Sequence, residues 1–326
     1  MLADIVFPEC FKMADLGCSS GPNCLFLMSL IIHKIQELSG HNNNYRSHSP
    51  EFEVFLNDLH GNDFNNLFKM LPAFHQKLNP TAQCFVSGLP GSFYCRLFPS
   101  KSLHLFILPT VCIGSPRMAI HIQVPEGVES NRNNIHMGTA SPPAVFEAYL
   151  RQFQRDFSTF LSSRGEEMVP GGRMVLTFIG RSVADPYTKD DCIHIKILGD
   201  TLLDMIVEGA IKEADLHSFN MPFYTPSKQE VEAIIRSEGS FNLERLDHFL
   251  LPWNSHDVEH SNSDNHRPHK YKVVEMVTNS VRAYSEPLLS IHFGSFIMDG
   301  LFTRFGKKLA EHLSMEEPRS SISSFR

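Results

Sequence analysis

The sequence lacks the features that mark several large classes of protein. It contains no run of Lys and Arg, and its formal net charge of −7 argues against a nucleic-acid-binding surface, which needs clustered positive charge. It has no uninterrupted apolar stretch of about 18 residues, the length that spans a membrane, and no basic and then apolar segment at its start. These absences predict a cytoplasmic protein that binds neither nucleic acid nor membrane.

Paired cysteines are also missing. The seven cysteines are an odd number at irregular spacings, and none form a CxxC pair. Such thiols are typical of a reducing compartment and favour neither a disulfide framework nor a zinc site. We therefore interpret Cys18, which lies in a glycine-containing stretch, as a small packing residue rather than a nucleophile.

The most informative stretch is Phe11–Asn23, which reads FKMADLGCSSGPN. Gly17 permits a positive φ and lets a ligand lie against the backbone, and Pro22 suits the first turn of the apolar helical series that follows. Asp15 falls at the end of the predicted strand, where open α/β sheets bind ligands. The stretch therefore predicts a strand, a ligand-binding loop and a helix.

The spacing DxGxxxG favours an adenosyl ligand over a dinucleotide or a triphosphate, because neither GxGxxG nor the Lys of a P-loop is present. Turns of this kind also occur without a ligand, so both interpretations stay open here. Asp58, at the end of the predicted strand Glu51–Leu59, favours the first one. A carboxylate in that place can accept both ribose hydroxyls, although an isolated Asp more often caps a loop or helix.

Helical and strand-like segments alternate along the first part of the chain, which predicts a doubly wound α/β sheet with helices on both faces. We expect an α/β core over 1–190 and, over 191–326, a mostly helical cap with returning core elements. The cap is centred on Asp191–Leu216 and on two helices within Val273–Leu313 that break near Pro287. The serine-rich end of the chain looks disordered.

Two further candidate sites come from single features. Ser92 and Phe93 could offer a hydroxyl and an aromatic face to a purine. His256 and His260 have the spacing of a metal-binding pair, although the surrounding polar residues are typical of a surface loop.

Taken together, several segments resemble the plant SABATH family of S-adenosylmethionine-dependent methyltransferases, which methylate carboxyl groups of salicylate, benzoate and jasmonate or ring nitrogens of xanthine alkaloids. The resemblance covers nearly the whole chain. Its carriers are ADLGCSSGPN (14–23), FLNDLHGNDFN (55–65), SGLPGSFYCRLFPSKSLH (87–104), QVPEGVES (123–130), QFQRDFSTFL (152–161), VPGGRMVLTFIGR (169–181), SFNMPFYTPS (218–227) and EPLLSIHFG (286–294).

The resemblance implies an S-adenosylmethionine site with Asp58 on the ribose. Besides Asp15 and Gly17 of the loop, the matching positions are Cys18, Asn23, Asp58, Leu59, Ser92 and Phe93. A magnesium ion, held in some members, would correspond to Asn131, the Phe219 carbonyl and Asn220. His217 replaces the acid of that motif, and imidazole suits magnesium poorly.

Three departures from the family concern the substrate and the ends of the chain. The N-terminal segment is short, and no apolar closing strand is evident after Leu313. Where the family has HSSYSLHWLSQ, whose Tyr, His and Trp grip the substrate carboxylate, this chain has ILPTVCIGSPR (107–117). Codons for the family motif, read one nucleotide later, can encode this segment, which suggests a shifted reading frame restored before Gln123. Sequencing the transcript would decide this.

The resemblance implies methyl transfer to the carboxylate of a small acid. Without the carboxylate grip we expect weak or absent carboxyl methylation, even if some cofactor affinity remains. The alternatives are an inactive homologue with an interaction role, and an N-methyltransferase of a xanthine-type alkaloid. A homodimer is a further expectation, and a nucleotide-dependent oxidoreductase is disfavoured by DxGxxxG. Without the closing strand, an unpaired sheet edge would lower solubility.

Overall fold

A computed structural model describes residues 8–40, 50–108, 124–132, 134–187, 192–252, 269–315 and 319–325. Within these ranges the chain forms one seven-stranded sheet flanked by helices. The strands are β1 (Cys10–Leu16), β2 (Glu51–Asp58), β3 (Cys84–Pro90), β4 (Leu103–Leu108), β5 (Met168–Ile179), β6 (Leu246–Pro252) and β7 (Arg319–Phe325). The helices are α1 (Asn23–Gly40), α2 (Phe64–Lys77), α3 (Pro143–Glu167), α4 (Ile193–Val207), α5 (Glu213–His217), α6 (Lys228–Glu238), α7 (His269–Phe293) and α8 (Met298–Met315).

The strand order is β3-β2-β1-β4-β5-β7-β6. The first five strands pair in parallel, and β7 inserts antiparallel between β5 and β6. The strand order reverses direction between β1 and β4. In open α/β sheets, ligands bind beyond the carboxyl ends of the strands at such a switch point. The predicted doubly wound sheet is confirmed, and both Asp15 and Asp58 lie at the ends predicted for them.

Hydrophobic cores cover both faces of the sheet. Helices α1 and α2 cover one face, and α3 and α6 cover the other. The period of α1 buries Leu25, Met28, Ile32 and Ile35 against the sheet. Leu30 is also apolar but is 49% exposed, because it lies on the opposite side of the helix.

The predicted helical cap is also present. Helices α4, α7 and α8 share an apolar cluster with the segment after α5, and Ile179 at the end of β5 packs against it. Ion pairs from α8 to the end of α4 join Arg304 to Glu208 and Lys308 to Asp204. The division of the chain at residue 190 stays a prediction. No helix in the described ranges is long and apolar enough to cross a membrane.

The prediction of a disordered tail without a closing strand is wrong. β7 pairs with β5 and β6, and Ile322 lies opposite both Ile179 and Phe249. The edge that was expected to stay unpaired is therefore filled. The apolar residues of RSSISSF are three apart, so the segment shows no period of two; backbone pairing on both sides makes it a strand despite its serines.

The predicted helix break at Pro287 is also wrong. α7 runs through Pro287 to Phe293, and the chain turns at Gly294, where φ is +87°. A proline inside a helix usually kinks it or ends it. Here the break falls instead at a residue without a Cβ, which can adopt a positive φ without strain.

Candidate functional site

The glycine loop follows β1 and is fixed by backbone hydrogen bonds. The N–H groups of Gly17 and Cys18 both donate to the carbonyl of Asn57, at 2.8 and 2.9 Å. Gly17 has φ +77° and Ser19 has φ +54°. These left-handed residues turn the chain sharply from β1 toward α1, so the loop curls over the carboxyl ends of β1 and β2.

Asp58 joins three strand ends. Its carboxylate accepts hydrogen bonds from the N–H of Ser19 at 2.7 Å and of Leu59 at 2.8 Å, and its carbonyl accepts from the N–H of Gly91 at 2.8 Å. A carboxylate has about four acceptor positions, so two remain for a ligand. The structure therefore brings Gly17, Cys18, Asp58 and Leu59 together.

Three asparagines that the sequence reasoning missed hold this arrangement. Asn57 is fully buried and donates through Nδ2 to the carbonyls of Leu89 and Gly91 at the end of β3. Asn62 and Asn66, at the start of α2, donate to the carbonyls of Ser19 and Ser20 at 3.0 and 2.8 Å. The sequence signal that could have revealed them is an asparagine inside a strand whose residues otherwise alternate between apolar and polar. Further asparagines follow it in FLNDLHGNDFN.

Asp15 is the most unusual group of the site. It is fully buried, and neither carboxylate oxygen has a hydrogen-bond partner among the described residues. Burial, and secondarily the negative charge of Asp58, raise the pKa of Asp15 to about 7. An unpaired buried carboxylate is costly unless a positive group or a donor reaches it. Asp15 is therefore suited to contact a positively charged ligand.

Cys18 of the loop and Cys24, at the start of α1, are poorly suited to act as nucleophiles. Burial, with the charges of Asp15 and Asp58, raises the pKa of Cys18 well above its usual range, and burial raises the pKa of Cys24 to about 12. Both thiols are therefore protonated at neutral pH. This agrees with the interpretation of Cys18 as a packing residue.

Three other predicted residues lie at the edge of this arrangement. Asn23 is exposed as the first residue of α1, and Ser92 is partly buried just after β3. Phe93 as a whole is only 2% exposed, and its ring packs edge-on against Phe160, with 5.7 Å between ring centroids. The Phe93 ring therefore belongs to the core and offers no open aromatic face to a ligand.

An aromatic cluster in the cap was also missed. His194 of α4 is 8% exposed, and its ring lies edge-on to Phe223 and to Tyr284 of α7, with centroid distances of 6.4 and 6.3 Å. Phe223 belongs to the segment 219–227, which Tyr149 anchors by donating its hydroxyl hydrogen to the carbonyl of Met221 at 2.7 Å. No spacing rule linked these rings, because they come from three separate elements.

The comparison with known families decides the class of this protein. Residues 1–325 match the model of the SAM dependent carboxyl methyltransferase family, where SAM is S-adenosylmethionine. The chain belongs to this family. The predicted fold, cofactor and reaction class are thereby confirmed.

Individual relatives agree with the family assignment. A probable methyltransferase of Theobroma cacao is 43% identical over 96% of this chain and 85% of its own length. The salicylate/benzoate carboxyl methyltransferase of Arabidopsis thaliana is 41% identical over 96% of this chain and 78% of its own length. A loganic acid methyltransferase solved with SAH aligns with a TM-score of 0.78 and 30% identity, over 97% of this chain and 84% of that one.

The residues matched to the family's magnesium site come together but do not fit that ion. Asn131 and Asn220 are buried, and Nδ2 of Asn131 donates to Oδ1 of Asn220 at 2.8 Å. Oδ1 of Asn131 accepts from Ser141 Oγ at 2.7 Å. Both amide oxygens are therefore used by protein donors. In the part of the chain that the structure describes, no cluster of three His, Cys, Asp or Glu could hold a metal.

We therefore expect magnesium to leave this protein unaffected. Millimolar Mg²⁺ or EDTA should not shift the melting temperature of the wild type, because the amide cluster lacks the anionic oxygen that Mg²⁺ prefers. Thermal unfolding monitored by fluorescence tests this. The matched variant is His217→Asp, which restores the missing acid. A magnesium-dependent rise of the melting temperature in the wild type itself would contradict the expectation.

Two groups of residues singled out in the sequence lie outside the described residues. These are the His256 and His260 pair, and positions 109–117 of the segment that replaces HSSYSLHWLSQ.

Proposed function

We propose that this chain transfers the methyl group of SAM to the carboxylate of a small acid such as salicylate, benzoate or jasmonate. The observation that carries the proposal is the pair of carboxylates at the switch point. Among the described residues, the Asp58 carboxylate is tied to the glycine loop and keeps free acceptor positions, and the carboxylate of Asp15 is buried without a hydrogen-bond partner. One carboxylate suits ribose hydroxyls, and the other suits a positive charge.

In this proposal, different residues contact different parts of SAM. Asp58 accepts the ribose hydroxyls, the Gly17 and Cys18 backbone lies against the adenosyl group, and Asp15 faces its positive end. Leu59, Ser92 and the Phe93 backbone border the purine, and Asn23 lies at the mouth of the loop. When bound, SAM supplies a methyl group activated by a positively charged sulfur.

The chain's contribution to the reaction is orientation and exclusion of water. A carboxylic acid of ordinary pKa is already ionised at neutral pH, so no general base is needed, and we name no catalytic acid or base. Positioning of the reacting atoms can supply much of the rate enhancement. The rings of His194, Phe223 and Tyr284, with the His194 ring nearly perpendicular to the other two, form an aromatic wall against which we place a planar aromatic acid.

The proposal is tested by binding and by turnover, measured separately. Calorimetric titration should detect SAM and S-adenosylhomocysteine binding, and transfer of a labelled methyl group should be assayed with salicylate, benzoate and jasmonate. Binding without turnover of any acid tried would favour the inactive homologue. Absence of SAM binding would overturn the proposal. Sedimentation of the same sample tests the expected homodimer.

Asp58→Asn is expected to raise the Kd for SAM about 10- to 100-fold, because hydrogen bonds to a charged group contribute about 1.5–3 kcal/mol. Titration calorimetry measures this. The matched control is Asp63→Asn, five positions further on, which changes an exposed carboxylate that caps α2 by accepting from the N–H of Asn66 at 3.0 Å. An equal loss in both variants would contradict a ribose contact at Asp58.

A further inference from the structure

Two Arg–Glu ion pairs, one fully buried and one largely buried, lie near the two halves of the proposed site. Arg164 and Glu167, in the last turn of α3, are both fully buried, with Nε to Oε2 at 2.7 Å. Arg181, just after β5, is 4% exposed and pairs with Glu230 of α6 at 2.6 Å. Other ion pairs such as Arg282 with Glu286 are about one-third exposed.

The Arg164–Glu167 pair also forms hydrogen bonds to the backbone of the loop that carries Ser92 and Phe93. Arg164 donates from Nη1 to the carbonyl of Phe93 at 2.5 Å and from Nη2 to that of Cys95 at 2.8 Å. Oε1 of Glu167 accepts from the N–H groups of Leu97 and Phe98, at 2.5 and 3.0 Å. Four backbone groups of one short loop are thus fixed by one ion pair.

The second pair holds the segment 219–227 in the same way. Arg181 donates from Nη1 to the Thr225 carbonyl at 2.6 Å and to the Tyr224 hydroxyl at 3.1 Å. Its guanidinium lies over the rings of Phe146 and Tyr224, at 5.4 and 5.5 Å from their centroids. Oε2 of Glu230 accepts from the N–H of Ser227 at 2.8 Å. This segment carries Phe223 of the aromatic wall.

Stability alone does not explain such pairs. Removing two charges from water is costly, and well-packed apolar residues of similar volume often give equal or greater stability. What an apolar pair could not do is fix the direction of several backbone groups at once. The bidentate geometry of Arg and the two oxygens of Glu are suited to that purpose.

We propose that the two pairs are positioning devices with separate targets. Arg164 and Glu167 set the loop 92–98 for the adenosyl group, and Arg181 and Glu230 set the segment 219–227 against the acceptor acid. The inference rests on the proposed function, since it uses that assignment of the two ligands. Neither pair touches the reacting atoms, so each acts through the backbone that it holds.

The experiment compares Glu167→Gln with Glu230→Gln, each the matched control of the other. Two Kd values are measured by calorimetry, one for S-adenosylhomocysteine and one for salicylate titrated into protein saturated with S-adenosylhomocysteine. Both variants should lose thermal stability. Because small displacements of binding groups weaken binding strongly, Glu167→Gln should raise only the first Kd and Glu230→Gln only the second, each about tenfold.

The fitted stoichiometry separates positioning from mere unfolding. A purely structural role would lower the fraction of binding-competent protein and leave both Kd values unchanged, which would overturn the proposal. Equal changes of both Kd values in both variants would also overturn it. If the wild type binds neither probe, the proposed function fails instead.

A second measurement needs no variant, in case both variants fail to fold. In the ligand-free wild type, the amide hydrogens of Leu97, Phe98 and Ser227 should exchange slowly, because the carboxylates of Glu167 and Glu230 hold them before any ligand binds. Fast exchange at these amides without a ligand would contradict the inference.

Two conservative variants, Arg164→Lys and Arg181→Lys, keep the charge but lose the bidentate geometry. They should reproduce the selective rises in Kd expected for Glu167→Gln and Glu230→Gln.

Discussion

Asp15→Asn is expected to raise the Kd for SAM about 10- to 100-fold, the effect of removing a charge-assisted contact of about 1.5–3 kcal/mol. The variant keeps the size of the side chain and removes only its charge. The expected loss arises because the buried carboxylate has no hydrogen-bond partner among the described residues, so a positive ligand is its natural counter-charge. Titration calorimetry at pH 8, where Asp15 is ionised, measures the change.

The same variant should change the pH dependence of folding stability in the absence of a ligand. The pKa of Asp15 is about 7 in the folded protein, against an ordinary value of 3.8. Between these values the folded state holds a proton that the unfolded state has lost, so this group makes stability fall as pH rises from about 4 to 7. Over this pH range, the contribution of Asp15 lowers the free energy of unfolding by at most about 4 kcal/mol. Asp15→Asn should abolish this contribution.

Ligand binding should show the opposite pH trend. A positive ligand favours the ionised carboxylate, so the affinity for SAM should rise with pH through about 7, with a proton released on binding below that pH. Buffers of different ionisation enthalpy reveal such a proton in calorimetry. A pH-independent affinity in the wild type would argue that Asp15 does not face the ligand.

Asp156→Asn is the matched control for both measurements. Burial also raises the pKa of Asp156, but this residue lies on α3 and accepts a hydrogen bond from Gln152 at 2.7 Å. Its replacement should leave the affinity for SAM unchanged. An equal loss of affinity in the two variants would point to a general effect of removing negative charge.

The sequence was sufficient to predict the parts of the site that depend on chain position. Asp15 and Asp58 fall at the carboxyl ends of neighbouring parallel strands, and such ends meet at one edge of the sheet. A glycine loop between strand and helix has few conformations available to it. Local patterns and the rules of parallel sheets therefore placed both carboxylates correctly.

The parts that escaped prediction depend on long-range partners. Asn57, Asn62 and Asn66 act through carbonyls of other elements, and an isolated amide does not reveal such a partner in the sequence. The strand Arg319–Phe325 has weak β-propensity and forms because β5 and β6 present unpaired backbone on both sides. The ring of Phe93 was expected to face the ligand because it is aromatic. In the structure, packing against Phe160 sets its orientation instead.

Replacing 107–117 with HSSYSLHWLSQ is expected to raise kcat/KM for salicylate about 100-fold or more. The resemblance to the family assigns a grip on the substrate carboxylate to the Tyr, His and Trp of that motif. Two hydrogen bonds to a charged group, at about 1.5–3 kcal/mol each, account for an effect of this size. Steady-state assays with labelled SAM over a range of salicylate concentrations measure it.

The control for this replacement carries the same motif with its Tyr, His and Trp changed to Phe, Leu and Phe. It keeps the length and much of the apolar character of the segment but removes the polar contacts, so it should stay near the native turnover. Both chimeras also change Ile107 and Leu108 at the end of β4 in the same way, and they should bind S-adenosylhomocysteine equally, because Asp15, Asp58 and the glycine loop are unchanged in both. If the native chain already turns over salicylate as fast as the restored one, residues other than this motif must orient the carboxylate, and the edge-on wall of His194, Phe223 and Tyr284 is then the first place to search for them.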